Sequence, residues 1–343
     1  MDLIYMNSDM VDLGVLQDFE MDLAFGKNEN DFECKIPSST HCCEAGYFLY
    51  IEGTEYGGTV DAIEVVSETG EVIYSGRTWH GILGSKIILP LQSGETSASG
   101  VTIKDVDSNG VSYVDRYLVI SGEANTCIQF MVNRLGLSSL FKASAEDSGV
   151  SITNFRFDRF LDGYNGIVKM LNSAGMRLSV AYKEEKVILS AQKLYNYATD
   201  EEFDPDLVNM QLKKKVKSVN HLVCLGSGEM ENRMVIHLYA DEKGNISQTQ
   251  TQFGMNEYSA VYDYSSVESE EELLKQGIEH LESLWLPDEM VIKLDDTSDY
   301  YHVGDMVGAR DSVTGISGSA NIRKKIVTIR DGLISISYEV GES

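Results

Sequence analysis

"DYYHVGDMVGARDSVTGISGSANIRKKIVTIRDGLISISYEVG" runs from Asp299 to Gly341, and its reading decides the fold. Glycines recur through it at 304, 308, 315, 318 and 332. Such a run is either a flexible functional loop or a chain that bends from strand to strand. The residues between the glycines favour strands. "ANIRKKIVTIR" and "LISISYEV" alternate apolar and polar side chains and are rich in β-branched residues. Asp331-Gly332, between them, has the chemistry of a tight hairpin. The stretch is expected to be wall.

Working outward, "SEEELLKQGIEHLESLWL" predicts an amphipathic helix over about 268–286, with Leu273, Leu274, Ile278, Leu281 and Trp285 on one stripe. Its acidic first turn suits the helix dipole, and Pro287 is expected to end it. "KVKSVNHLVCLG" and "RMVIHLYADEKGNISQTQTQ" read as strands, with a turn at Glu242–Asn245. The acidic, Pro-containing Ala198–Leu207 reads as a linker. Before it lies a small αβ module: helices in "NTCIQFMVNRLG" and "YNGIVKMLNSAG", each stopped by a glycine, then two strands around Lys183-Glu184-Glu185. The first third is β-rich in Gly46–Gly53, Gly58–Gly76 and Ser85–Leu91, with turns at Glu68-Thr69-Gly70 and Asp107-Ser108-Asn109-Gly110. The expected division is 1–120, 121–200 and 201–343. A faint echo links Thr54–Val65 with Ser298–Ala309; each runs from an acidic, Tyr-containing entry through Gly into a strand.

At 343 residues, more than one domain is the prior. Lys plus Arg is 28 and Asp plus Glu is 54, a net charge of −26. A chain so acidic repels phosphate backbones, which argues against stable binding to nucleic acid or to anionic membranes. The N-terminus lacks the basic and apolar regions of an export signal, and no run approaches the roughly 20 apolar residues of a membrane span. With five irregularly spaced cysteines, this points to reduced thiols and assembly in the cytoplasm.

The sharpest local motif is "DVDSNGVSYVDR", Asp105–Arg116, where Asp105, Asp107, Asn109 and Gly110 stand at positions one, three, five and six of a calcium loop. Position twelve should be Glu and is Arg116, and the flanks alternate like strands, so an Asn-Gly hairpin turn is the preferred reading. Cys34, His41, Cys42 and Cys43 are zinc-capable, but no second Cys-x-x-Cys closes a tetrahedron. Glu52, Glu55, Asp61 and Glu64 offer the carboxylate pairs a glycosidase needs, though a solvated face is the commoner role of such a cluster. Lys213–Lys217 is the one basic run, a solvated strand end or one side of a subunit contact. No phosphate loop, serine elbow or His-Glu-x-x-His is present. No catalytic, cofactor or metal residue is therefore assigned, and the metal candidate is the weak set Asp105, Asp107 and Asn109.

Two segments, "GTEYGGTVDAIEVVSETGEVIYSGRTWHGIL" (Gly53–Leu83) and the closing stretch, with the αβ module between, resemble the baseplate (tail) hub proteins of contractile phage tails or phage-tail-like bacteriocins of Gram-positive bacteria. The resemblance implies a mainly β, α+β fold: two tail-tube-like β-barrels with a small αβ domain inserted between them. It implies a non-enzymatic homotrimer whose ring of six barrels joins a six-fold tail tube to a three-fold spike. Tube protein, spike protein and other baseplate or tape-measure proteins would be its partners, and the virion or tail-like particle its destination. A tail-associated peptidoglycan hydrolase and a calcium-dependent carbohydrate-binding module are the competing readings.

Overall fold

The computed structural model describes residues 2–26, 28–197, 202–203, 218–242, 244–267, 269–285, 293–296, 301–310, 313–314 and 317–341. The chain forms two units, Met1–Met210 with Ile292–Ser343, and Gln211–Val291. The first opens with strands β1 (Leu3–Met6), β2 (Asp12–Leu16), β3 (Glu20–Gly26), β4 (Asp31–Pro37), β5 (Phe48–Tyr50), β6 (Gly57–Thr59), β7 (Ala62–Val66) and β8 (Glu71–Arg77). Helix α1 (Trp79–Gly84), β9 (Val101–Ile103), β10 (Val119–Glu123), α2 (Ala124–Arg134), β11 (Phe141–Ala143) and β12 (Ser151–Arg156) follow. Then come α3 (Gly163–Asn172), β13 (Met176–Lys183), β14 (Lys186–Lys193) and the two-residue β15 (Glu202–Phe203). The second unit holds β16 (His221–Leu225), β17 (Val235–Ala240), β18 (Ile246–Ser247), β19 (Ser259–Asp263) and α4 (Glu270–Leu284). The chain then returns to the first unit as β20 (Lys293–Asp296), β21 (Met306–Arg310), β22 (Ser317–Arg330) and β23 (Leu333–Gly341).

The closing stretch is wall, as its alternation requires. Asp331 and Gly332 take φ of 52° and 75° and fold β22 back onto β23. On its other side β22 pairs with β21 and then, from Lys324 to Ile329, with β3. The resulting nine-stranded sheet runs β15-β21-β22-β3-β4-β8-β7, with β23 on β22 and β20 on β23. It thus joins the first and last parts of the chain. A register shift between Ile322 and Lys324 changes which side chains face inward, so Ala320 and Ile322 are followed on the buried side by Lys325, Val327 and Ile329.

A second, antiparallel sheet, β2-β1-β5-β6, lies in the same unit. The chain passes from it to the large sheet at a crossing where only glycine fits. A Cβ on Gly58 would stand 2.1 Å from the Arg77 carbonyl oxygen, and one on Gly76 1.9 Å from that of Thr59. Residues 121–197 supply α2, α3 and the sheet β11-β14-β13. Glu123 caps α2 by accepting from the Asn125 and Thr126 N–H groups, and Asp162 caps α3 from Asn165. Gly136 and Gly175, both at φ 71°, follow the two helices as expected.

One apolar core runs from the N-terminal strands through this module, with Met6, Tyr50, Trp79, Ile128, Met131, Ile167, Leu171 and Tyr182 all in it. Trp79 stacks on Phe48 and Tyr182 with centroids 6.0 and 5.7 Å apart. Each such large side chain contributes on the order of 1.5–3 kcal/mol by leaving water. In the second unit α4 lays Leu273 and Leu281 against Leu222, Cys224 and Leu238 of the sheet β18-β17-β16-β19.

The fold is mostly β with few helices, and among the described residues every sheet keeps free edges and none closes into a barrel. Ser85–Leu91, read as a strand, instead runs beyond α1 with one isolated bridge, Ile87 to Asp162. Most of the linker, the run Lys213–Lys217 and Pro287 lie outside the described residues.

Candidate functional site

Three distant segments bring charge into the interior at one place. The loop after β5 is tied to β13 by Gly53 N–H to the Tyr182 carbonyl (2.8 Å) and Tyr182 N–H to that of Thr54 (2.9 Å), which aims Glu55 inward. Helix α1 presents His80, and the register shift in β22 turns Lys325 inward. Glu55 Oε1 lies 2.7 Å from Lys325 Nζ, and its Oε2 lies 3.4 Å from His80 Nε2. The Lys325 side chain is 1% exposed, that of His80 6% and that of Glu55 18%. Lys325 Nζ also sits 5.3 Å from the centroid of the Tyr56 ring. The His80 ring packs against Phe25 and edge-on to Tyr164.

Burial alone would raise the Glu55 carboxyl, but Lys325 and His80 beside it outweigh that and hold it below the usual carboxylate range. Burial lowers His80 to about 4; Lys325 adds to the effect and Glu55 opposes it. Near neutral pH the set is therefore Glu⁻, Lys⁺ and a neutral imidazole that donates from Nε2 toward the carboxylate. A carboxylate so engaged is a poor general acid, and the geometry is that of an electrostatic clamp between chain segments.

A second buried set adjoins it across a cavity of about 270 Å³ that Glu55, His80, Arg177 and His302 help to line. Asp305, fully buried, accepts from the Tyr195 and His302 N–H groups at 3.0 and 3.2 Å, and Arg177 Nε lies 3.7 Å away. Neither set has a local sequence signature, because its members meet only through the sheet.

The residues singled out from the sequence are placed as follows. Asp105–Asp115 is a turn, with Gly110 at φ 77°. Asp107 Oδ1 accepts from the Asn109 and Val111 N–H groups at 2.8 and 2.9 Å, so this half-buried carboxylate serves its own backbone; Asp105 and Asn109 are exposed. Among the described residues no three His, Cys, Asp or Glu side chains are grouped to hold a metal ion. Cys34 and Cys43 are buried and Cys42 half-buried, all as free thiols; burial, with Cys42 nearby, pushes Cys34 up to about 12. His41 Nδ1 lies 2.8 Å from the Tyr74 hydroxyl. Asp61 forms a two-pronged pair with Arg77, at 2.7 Å for each contact, while Glu52 and Glu64 are exposed. Of the four clustered carboxylates, Glu55 is the one drawn into the buried charge set. In the second unit, unforeseen from sequence, Glu257, His221 and His237 form a chain with contacts of 2.6 and 2.9 Å.

This arrangement of an interleaved nine-stranded sheet, a second β-sheet and an αβ module is similar to the folds of solved tail proteins. Over 100% of this chain and 96% of theirs, the structure matches the tail protein from Neisseria meningitidis MC58 at 10% identity and a TM-score of 0.51. It matches the 43 kDa tail protein of prophage MuSo2 from Shewanella oneidensis over 99% of this chain and 98% of that one, at 9% identity and a TM-score of 0.54. No family model and no curated protein matches the sequence. The resemblance seen in the sequence thus extends to the fold.

Proposed function

We propose that this chain is a structural baseplate hub of a phage-like tail: a trimeric ring that joins the six-fold tail tube to the three-fold spike. The observation that carries the reading is the likeness of fold to phage tail proteins over essentially the whole chain. Two features agree with it. The sheets have open edges, and on the edge strand β2 and just before it Val11, Leu13 and Val15 are 54%, 47% and 47% exposed, as suits a subunit whose sides are covered in an assembly. The net charge of −26 suits a lumen past which DNA slides without sticking. On this reading 1–120 and 201–343 build the tube-like halves, with the C-terminal strands completing the first, and 121–200 is the inserted αβ part. Tube, spike and other baseplate proteins are the partners in a contractile tail or tail-like particle assembled in the cytoplasm.

The role is structural and not enzymatic, which the engagement of Glu55 by Lys325 and of Asp61 by Arg77 supports. Light scattering over concentration and salt series, with the spike partner added, tests the proposal. Trimer is expected, rising as salt screens repulsion over the Debye length of about 8 Å near physiological strength. A chain that stays monomeric with tube and spike proteins present, or closes as a two-fold dimer, overturns it. Clearing of purified cell walls that a Glu55→Gln change abolishes would favour the hydrolase.

A further inference from the structure

An apolar patch with a basic rim stands on the first unit, beside α1 and α3. Ile87, Leu89 and Phe160 are 49%, 48% and 56% exposed. Pairing sets the two segments side by side: Ile87 bridges Asp162, and the Ile88 N–H donates to the Leu161 carbonyl at 2.8 Å, two and one residues beyond Phe160. Arg159 lays its guanidinium over the Phe160 ring, 5.1 Å from the centroid. Arg116 and Arg159 line one recess with Leu89, and among the described residues neither forms an ion pair. By contrast Arg134 nearby is committed to Glu95 at 2.8 Å, and Asp158 to Lys169 at 2.7 Å.

Phe160 holds φ at 58°, a left-handed conformation that a bulky aromatic residue adopts only under constraint. The fold thus keeps a strained backbone at a residue whose ring it leaves in water. That ring contributes little to the core, and Asn or Gly at this position would relieve the strain. Aromatic and arginine side chains around an apolar centre are the composition of binding hot spots.

We propose that Ile87, Leu89 and Phe160, rimmed by Arg116 and Arg159, are the docking face for a second copy of this chain, which meets it with a carboxylate-rich part of its own surface. Charge selects the occupant. In a chain with 54 acidic and 28 basic residues carboxylates outnumber cations about two to one, and the two arginines without an ion pair are complementary to them. Charge also selects the geometry. Patch against patch would set Arg116 and Arg159 against their own copies, so the contact is head-to-tail, with a different surface on each side. The inference rests on the preceding reading only in that copies of the chain meet; it requires neither a ring nor a three-fold axis.

Sedimentation velocity of the full chain over a concentration series tests it, with Phe160→Asn, Leu89→Ser and Arg159→Glu. Each variant is expected to self-associate at least tenfold more weakly. Phe160→Asn is also expected to melt no lower than the parent, because it relieves strain; a merely structural ring would lower the melting temperature. Fluorescently labelled Arg159→Glu, which keeps its acidic surface, is expected to bind the parent chain but not itself. Variants that associate like the parent, a parent that is monomeric throughout, or a labelled variant that binds neither chain would each overturn the docking face. Variants that still form trimers would remove this contact while leaving the hub reading intact.

Discussion

Removing Lys325 tests the clamp most directly. Lys325→Met keeps the length of the side chain and deletes its charge, leaving Glu55 with His80 as its remaining contact in the set. Breaking a buried ion pair from one side costs about 3–5 kcal/mol; because the Glu55 side chain keeps 18% exposure, the lower end, about 3 kcal/mol at pH 7, is expected. The loss has a pH signature. In the parent Glu55 is held below its usual value, so its contribution is present above the unfolded value and lost as pH falls through the folded one. Without Lys325, burial dominates and the folded carboxyl rises above the unfolded value. The variant then recovers stability as acid protonates Glu55, and its deficit shrinks between pH 7 and about 5. Adding Glu55→Gln should bring the double variant to within about 1 kcal/mol of the parent, since no buried charge is then left alone. The two tryptophans make the assay specific: Trp79 lies in the first unit and Trp285 in the second, so urea unfolding in a Trp285→Phe background reports on the first unit. A cost below about 1 kcal/mol, or a deficit unchanged from pH 7 to 5, would refute the assignment of Lys325 and Glu55 as a stabilising pair.

Further outcomes follow from the same geometry. His80, lowered to about 4, refuses a proton that the unfolded chain accepts below about 6.5; stability of the first unit should fall by about 3 kcal/mol as pH drops across that window, and His80→Gln should flatten the slope in urea titrations. Gly76→Ala sets a Cβ 1.9 Å from the Thr59 carbonyl and is expected to lower the melting temperature of the first unit sharply, whereas Gly70→Ala, with open space around it, should cost only about 1 kcal/mol for its positive φ. Asp107→Ala should cost about 1 kcal/mol by freeing two backbone N–H groups, while Asp105→Ala should be near neutral; a calcium-dependent rise in melting temperature that Asp105→Ala abolishes would contradict this turn assignment.

How far the sequence discloses this protein depends on the distance over which its signals act. The helices α2, α3 and α4 and the turns at Gly70, Gly110 and Asp331-Gly332 are legible because caps, periodicity and positive-φ residues act within a few positions. Ser85–Leu91 misleads because its apolar residues look like a strand, although Ile88 and Leu91 are buried without forming one. The pairing of β3 with β22 is not legible, since alternation fixes which face is buried but not which strand lies alongside. The clamp was hidden for the same reason. "IRKKIVTIR" shows two adjacent lysines, and only the register shift after Ile322 determines that Lys325 is the one turned inward. Glu55 could be noticed among clustered carboxylates, yet nothing near it in sequence announces a lysine.

The pairing of β22 with β3 also bears on how such a chain is inherited. The two ends of the first unit are interlocked strand by strand, so a recombination joint placed between them would pair strands that never matched in register or charge. Gln211–Val291 is different: it leaves and rejoins the first unit as one continuous insertion with its own core. Exchange between genes for chains of this fold should therefore preserve the two ends as a linked pair, while the stretch between residues 210 and 292 is free to be replaced as a cassette.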